Sequence, residues 1–122
     1  MKTVRIAYII LFAVIIAVII NSIALSGIIS DIGNYVISAE EEDMAAAEKE
    51  YRAIYDKYKK NELYISLTVS HDDLSNLEDA FSEIIGAARA GDRETVITTK
   101  SRLIDYLRHI RRLSGINFDS IF

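Results

Sequence analysis

The chain of 122 residues has room for one small domain besides its apolar beginning, and it contains no cysteine and no proline. The missing cysteines exclude disulfide bonds, thiolate nucleophiles and cysteine-ligated metals, while the missing prolines permit long uninterrupted helices. The net charge of -4 at pH 7 becomes -6 when Lys2 and Arg5 near the start are left out. An acidic body of this kind disfavours nucleic acid as a partner, because nucleic acid selects basic surfaces.

The first predicted element is an almost unbroken apolar run from Ile6 to Ile29, which follows the two basic residues Lys2 and Arg5. A helix needs about 20 apolar residues to cross the hydrocarbon core of a bilayer. Residues 1–29 are therefore predicted to form a signal-anchor transmembrane helix whose partner is the lipid bilayer. The positive-inside rule keeps the basic flank in the cytoplasm, so residues 30–122 are expected outside it, on a single-pass protein of the cell membrane.

A cleaved signal peptide is the alternative interpretation of this segment. Ala24 and Ser26 are small residues at the two positions that matter for a cut after Ser26. The run is long for a signal peptide and becomes apolar again at Ile28, which favours the anchor. A pilin-like assembly helix is disfavoured, because the charged leader and the cleavage site ahead of a phenylalanine are missing.

The first soluble helix is predicted to begin at Ser30 and Asp31, residue types that cap helices. Its pattern is amphipathic, with one apolar stripe and a charged opposite face. The apolar positions recur every seven residues, at Ile37, Met44, Tyr51 and Tyr58. Tyr51, Tyr55 and Tyr58 share this stripe, which is typical of a helix core and is also a candidate surface for self-assembly.

Residues 61–70 are predicted to continue this helix or to break into a packed turn. Ser70 is expected to cap a second helix, Gly91 to end it and Asp92 to cap a third at once. The third helix is expected to end at Gly115. The fold class is therefore all-α: an N-terminal transmembrane helix followed by a small antiparallel three-helix bundle, running up, down and up.

Charge is distributed unevenly along the predicted bundle, and the carboxyl-terminal tail is apolar. Residues 31–62 carry -4, residues 72–94 carry -5 and residues 95–122 carry +3, so the last segment is expected to complement the other two. The tail is too apolar for a solvated end and is expected to fold back onto the bundle or onto a partner. Its candidate interaction residues, with the tyrosine stripe, are Phe118, Ile121 and Phe122.

The cluster of metal-ligand residue types that merits a test is formed by His71, Asp72 and Asp73. Adjacent residues of a helix point in different directions, so these three are poorly placed to converge on one ion. Helix capping is the favoured interpretation, with no metal site expected. The chain also lacks a glycine-rich phosphate loop and a nucleophile elbow, so neither an enzyme nor a cofactor is predicted.

Four sequence segments carry a family resemblance: SHDDLSNLEDAF, GDRETV, LIDYLRHI and LSGINFDSIF. With the basic start and the anchor they resemble the membrane-anchored family of unknown function numbered 4363, found mainly in spore-forming and related Gram-positive bacteria. The likeness covers nearly the whole chain. The family often has tryptophans along the first soluble helix and an aspartate before the histidine, where this chain has tyrosines and Ser70. The resemblance implies the location and the fold, and it implies no activity.

These observations predict a non-enzymatic interaction module that presents its helices to a membrane or cell-envelope protein. Association with further copies of the chain is compatible with the same surfaces. The alternative is an extracytoplasmic sensor or small-ligand-binding domain, which requires a cavity between helices.

Overall fold

The computed structural model describes the backbone of residues 2–39 and 42–121 and the side chains as far as Arg112. Within these residues helices are joined by short turns and no strand is present, which confirms the all-α class. The five helices are α1 (Lys2–Ser38), α2 (Met44–Lys60), α3 (Glu62–Ser66), α4 (His71–Arg89) and α5 (Arg93–Ile121).

Four of the helices pack side by side, and each contacts two neighbours: α1 packs on α2 and α5, and α4 packs on the same two helices. Consecutive long helices are antiparallel. Glu48 near the start of α2 pairs with Arg89 at the end of α4, and Glu83 in the second half of α4 pairs with Arg102 in the first half of α5. This is the arrangement of an up-down-up-down four-helix bundle. The predicted three-helix body therefore has a fourth helix, supplied by the carboxyl-terminal half of α1.

Helix α1 is continuous through Ser30 and Asp31, where the sequence predicted a new helix. Its buried residues from Ser22 onward alternate at spacings of three and four, the pattern that keeps one face against neighbouring helices. The predicted boundary between residues 29 and 30 thus lies inside one helix, and burial begins about two turns earlier. The buried residues of α1 are Ser22, Leu25, Ile29, Ile32 and Val36.

The first half of α1 leaves the bundle. Residues 2–20 are exposed apart from the half-buried Ile15 and Ile19. Large apolar side chains, such as that of Phe12 (66% exposed), project from this segment around the helix. At about 1.5 Å per residue its apolar run, residues 6–20, is about 22 Å long, about three-quarters of the roughly 30 Å of a bilayer's hydrocarbon core. By length and composition, α1 is the one helix among the described residues that qualifies to cross a membrane.

Helix α2 begins at Met44, and Asp43 caps it. The Asp43 Oδ1 atom accepts hydrogen bonds from the backbone nitrogens of Ala45 (3.1 Å) and Ala46 (3.3 Å). A carboxylate at this position satisfies amides that have no partner within the helix and faces the positive helix end. The predicted helix through residues 30–58 is therefore divided between α1 and α2.

The predicted helix ends around α4 are confirmed. The Ser70 hydroxyl accepts a hydrogen bond from the Asp73 amide at 3.2 Å. Gly91 adopts a left-handed φ of 72° after α4, which a residue with a Cβ reaches only at a cost. Asp92 caps α5 by accepting from the Thr95 amide at 3.1 Å, and α4 and α5 form a tight hairpin as a result.

The predicted end of the third helix at Gly115 is wrong, because α5 continues to Ile121. A glycine inside a helix costs only about 1 kcal/mol relative to alanine, and no proline follows to force a stop.

An ion pair and a polar contact between α4 and α5 connect the acidic and basic segments. Arg102 bonds to Glu83, and His109 Nε2 lies 3.9 Å from Asp73 Oδ1. The buried Lys100 of α5 donates from Nζ to the carbonyl of Ala39 at 3.2 Å, where a cation is favourable beside the negative end of α1. The basic segment therefore complements its acidic neighbours within the monomer.

Candidate interaction surface

The tyrosine stripe of α2 lies inside the bundle. Tyr51 and Tyr58 are fully buried, and Tyr55 is half-buried. Ring centroids lie 5.3 Å apart for Tyr55 and Phe81, and 5.8 Å apart for Tyr58 and Phe81, within the range of favourable aromatic pairs. Tyr51 and Tyr58 therefore have no exposed ring surface for a second copy, and they belong to the core.

The Tyr58 hydroxyl reaches a charged cluster at the edge of the bundle, where it donates to Glu78 Oε1 at 3.3 Å. Lys59 Nζ lies 3.2 Å from carboxylate oxygens of both Glu62 and Glu78. Burial first, and then the charge of Glu78, raises the pKa of Tyr58 far above its ordinary value. Burial alone raises the pKa of Glu78, but hydrogen bonds with Glu62, Lys59 and Tyr58 outweigh it and lower that pKa.

The raised pKa of Tyr58 predicts a loss of stability in alkali. The unfolded chain releases the Tyr58 proton above about pH 10, whereas the folded protein retains it there. The free energy of unfolding should therefore be at its full value below this pH and fall as the pH rises. Tyr58→Phe should show a shallower fall when urea denaturation is followed from about pH 8 to about pH 11.

The matched control is Tyr35→Phe, since the Tyr35 ring is 50% exposed on the surface of α1. This variant should follow the wild-type pH dependence. Equal slopes for Tyr58→Phe and wild type would contradict the assignment.

His71 is the first residue of α4 and is exposed. Asp73 contacts His109 across the hairpin, so the start of α4 lies beside the later part of α5. Within the part of the chain that the structure describes, no three histidine, aspartate or glutamate side chains are grouped closely enough to hold a metal ion. Among these three residues, Asp73 makes the helix-start contact, because its amide donates to the Ser70 hydroxyl.

The predicted interaction residues of the carboxyl-terminal tail lie largely outside the described part of the chain. The backbone at Phe118 and Ile121 belongs to α5, but their side chains, and all of Phe122, lie outside the described residues. The expected interaction role of the tail stays a prediction.

Within the bundle, the end of α1 is a surface that combines exposed apolar side chains with clefts. Asn34, Tyr35 and Ile37 point outward there, and these three residues are called the α1 outer face below. Ile37, predicted to be in the buried stripe, is 55% exposed. The three-and-four spacing of Ile29, Ile32 and Val36 is the sequence signal that would have assigned Ile37 to the surface.

Two clefts flank the α1 outer face. One of about 220 Å³ lies between α1 and α5 and is lined partly by Ile37 and Arg108. The other, of about 210 Å³, lies between α1 and α2 and includes Tyr35 and Ile54. Lys57 Nζ lies 4.3 Å from the centre of the Tyr35 ring. The face therefore has an apolar centre with cations at its edges, a composition typical of protein interfaces.

No protein-family model, no curated protein and no solved structure matches the chain. The resemblance to the family numbered 4363 thus stays a prediction. What the chain does is inferred from its own geometry.

Proposed function

We propose that the chain is a single-pass membrane protein that presents a non-enzymatic helical bundle, outside the cytoplasm, to a membrane or cell-envelope protein. The observation that carries the proposal is the length of helix that leaves the bundle. Residues 6–20 expose apolar side chains around most of the helix over about 22 Å. Such a surface is unfavourable in water and favourable in the hydrocarbon core of a bilayer. Membership of the family numbered 4363 is part of the same proposal.

The packing of α1 supports an anchor over a cleaved signal peptide. The site after Ser26 lies in the middle of a helix. Cleavage there would remove Leu25, which is fully buried, while leaving Ile29 and Ile32 in the bundle. The loss of a buried leucine destabilises a core, so the uncut chain is the better-packed form.

Orientation follows from charge. Lys2 and Arg5 flank the apolar segment on one side, and the bundle on the other side carries a net -6. Positive residues close to a membrane-spanning helix stay in the cytoplasm. The bundle is therefore placed outside by this proposal.

Single-cysteine labelling tests both the anchor and its direction, because the natural chain has no cysteine. Lys60→Cys, at an exposed site of the bundle, should react with a membrane-impermeant maleimide in intact cells. Lys2→Cys should react only after the cells are opened. Release of the protein into the medium, or labelling of Lys2→Cys in intact cells, would contradict the proposal.

The α1 outer face supports an interaction role more than ligand binding. Its clefts of about 220 and 210 Å³ are smaller than the roughly 300–1,000 Å³ of most small-molecule pockets. Tyr35 and Ile37 instead offer separated apolar side chains of the kind that anchor protein partners. The sensor alternative therefore has less support.

Photo-crosslinking in intact cells tests the interaction role. A crosslinking amino acid at Asn34 should give a defined adduct with a membrane or envelope protein, and Ile37→Asp should weaken it. The same crosslinker at Asp56, an exposed position on α2, is the matched control. An adduct of unchanged yield with Ile37→Asp, or equal adducts from both positions, would count against this surface.

A further inference from the structure

The segment between α2 and α4 carries two unusually exposed leucines. Leu63 is 78% exposed and Leu67 is 73% exposed. The same segment already contributes Ile65 and Val69 to the core, and these are 0% and 6% exposed. The two leucines are therefore not needed to attach the segment to the bundle. Scattered exposed leucines are ordinary on protein surfaces, so their position in the fold decides whether they have a role.

A hydrogen bond fixes that position. The Asn21 Nδ2 atom of α1 donates to the Thr68 Oγ1 atom at 2.6 Å. Asn21 separates the exposed part of α1, which ends at Ile20, from the buried stripe, which begins at Ser22. Leu67 precedes Thr68 in the chain and lies at the same level. Leu63 is four residues earlier, about one helical turn or roughly 6 Å away along α3.

Exposed apolar residues of α1 lie close to Asn21 in the chain, at the level that its hydrogen bond with Thr68 sets. Ile20 and Ile23 are 59% and 62% exposed. The acidic residue of α3, Glu62, is paired with Lys59 at 3.2 Å, which it shares with Glu78, so its charge is partly compensated. The Ser66 hydroxyl donates to the Leu63 carbonyl at 2.7 Å, which satisfies backbone that would otherwise face an apolar phase.

We propose that Leu63 and Leu67 insert into the interfacial layer of the bilayer that α1 crosses, so that α3 is a second membrane contact. The inference rests on the proposed membrane anchor. A bundle attached by one helix is able to tilt, whereas a bundle with a second apolar contact is held in one orientation against the membrane. The α1 outer face then stays at a fixed height above the lipid surface.

Fluorescence quenching by lipid tests this contact on the full chain. Leu67→Cys is labelled with an environment-sensitive nitrobenzoxadiazole probe, and the protein is reconstituted into vesicles of phosphatidylcholine and phosphatidylglycerol. Lipids that carry a doxyl quencher near the headgroup should quench this probe several-fold more than a probe on Ile97→Cys. Ile97 is a matched control because it is an exposed isoleucine, 40% accessible, near the start of α5 at the opposite end of the bundle.

A probe on Ile10→Cys, in the protruding part of α1, separates the two proposals. Strong quenching at position 10 with no more quenching at position 67 than at position 97 overturns the α3 contact and leaves the anchor standing. No lipid quenching at position 10 overturns the anchor and this inference together. A probe at position 67 that is shielded from aqueous iodide without lipid quenching shows a protein neighbour, and this result also overturns the proposal.

Discussion

Replacing Ile32 with alanine should lower the free energy of unfolding of the bundle by about 2–5 kcal/mol, the range for isoleucine-to-alanine changes in cores. The Ile32 side chain is fully buried, on the face of α1 that packs against α2 and α5. The change removes apolar contacts and leaves a cavity that rigid neighbouring helices fill only in part. The sequence pattern predicts that Ile32 belongs to a separate soluble helix. The loss in the free energy of unfolding therefore measures how much the packing of α1 stabilises the bundle.

The matched control lies on the same helix. Ile10 is 58% exposed, and Ile10→Ala should leave the stability of the bundle unchanged. Both variants are unfolded in urea as full-length protein in detergent, and the near-ultraviolet circular dichroism of the tyrosines reports the bundle, since the chain has no tryptophan. If Ile32→Ala were as stable as Ile10→Ala, α1 would not be a helix of the bundle.

The apolar composition of α1 makes it difficult to predict from sequence that one helix supplies both the exposed apolar segment and a helix of the bundle. From Ser22 to Val36 the buried residues follow three-and-four spacing, but almost every position before Asn21 is apolar as well. In a prediction from sequence, the high hydropathy of residues 6–29 therefore outweighs the helical periodicity of the buried positions. The membrane segment is predicted to extend as far as residue 29 for this reason. Of the polar residues that stand between the buried ones, Ser26 and Ser30 are half-buried and Asn34 lies on the outward face.

The break between α1 and α2 was missed for a related reason. Ile37 and Met44 are seven residues apart and continue the repeat of Tyr51 and Tyr58, so the apolar pattern keeps its phase across a turn. No proline or glycine marks the site. The local signal was Asp43, whose carboxylate is well suited to cap the helix that follows.

Helix ends set by neighbouring residues were predictable. Ser70, Gly91 and Asp92 act through backbone amides within three residues or through the local φ angle, and such requirements depend little on the rest of the fold. Gly115 failed as a stop because a lone glycine only weakens a helix.

The tyrosine stripe shows a second limit of prediction from sequence. A stripe such as Tyr51, Tyr55 and Tyr58 shows that one face of a helix is apolar. It does not show whether the chain's own helices or another copy covers that face. Phe81, two helices along the chain, covers it in the monomer, and no local sequence feature connects those positions.

A continuous α1 has a consequence for the proposed function. Helix α1 passes from the exposed segment into the bundle without a break at Asn21, and hydrogen-bonded helices resist bending except at proline, Gly/Ser pairs or bulges. The one such pair in α1, Ser26–Gly27, lies between Leu25 and Ile29, which are packed in the bundle. A change in the tilt of the membrane segment would therefore reorient the bundle and the α1 outer face as one body. Such coupling suits a module that presents a surface to a partner in the same membrane.

Phe81→Ala should be the most damaging single truncation in the core, with a loss of about 3–5 kcal/mol in the free energy of unfolding. The ring is fully buried and contacts Tyr55 and Tyr58 from α4, joining two helices through one aromatic cluster. Each aromatic pair contributes about 0.5–1.5 kcal/mol beyond the area it buries. The near-ultraviolet signal of the tyrosines should also weaken, because the rings lose their fixed environment.

Phe12→Ala provides the matched control, since Phe12 is 66% exposed in the protruding part of α1. It should leave both the unfolding transition and the tyrosine signal as they are in the wild type. A bundle that tolerated Phe81→Ala with a loss below about 1 kcal/mol would not have the aromatic core described above, because such a value is typical of surface substitutions. In that case Tyr55 and Tyr58 would again be candidates for contacts with a second copy.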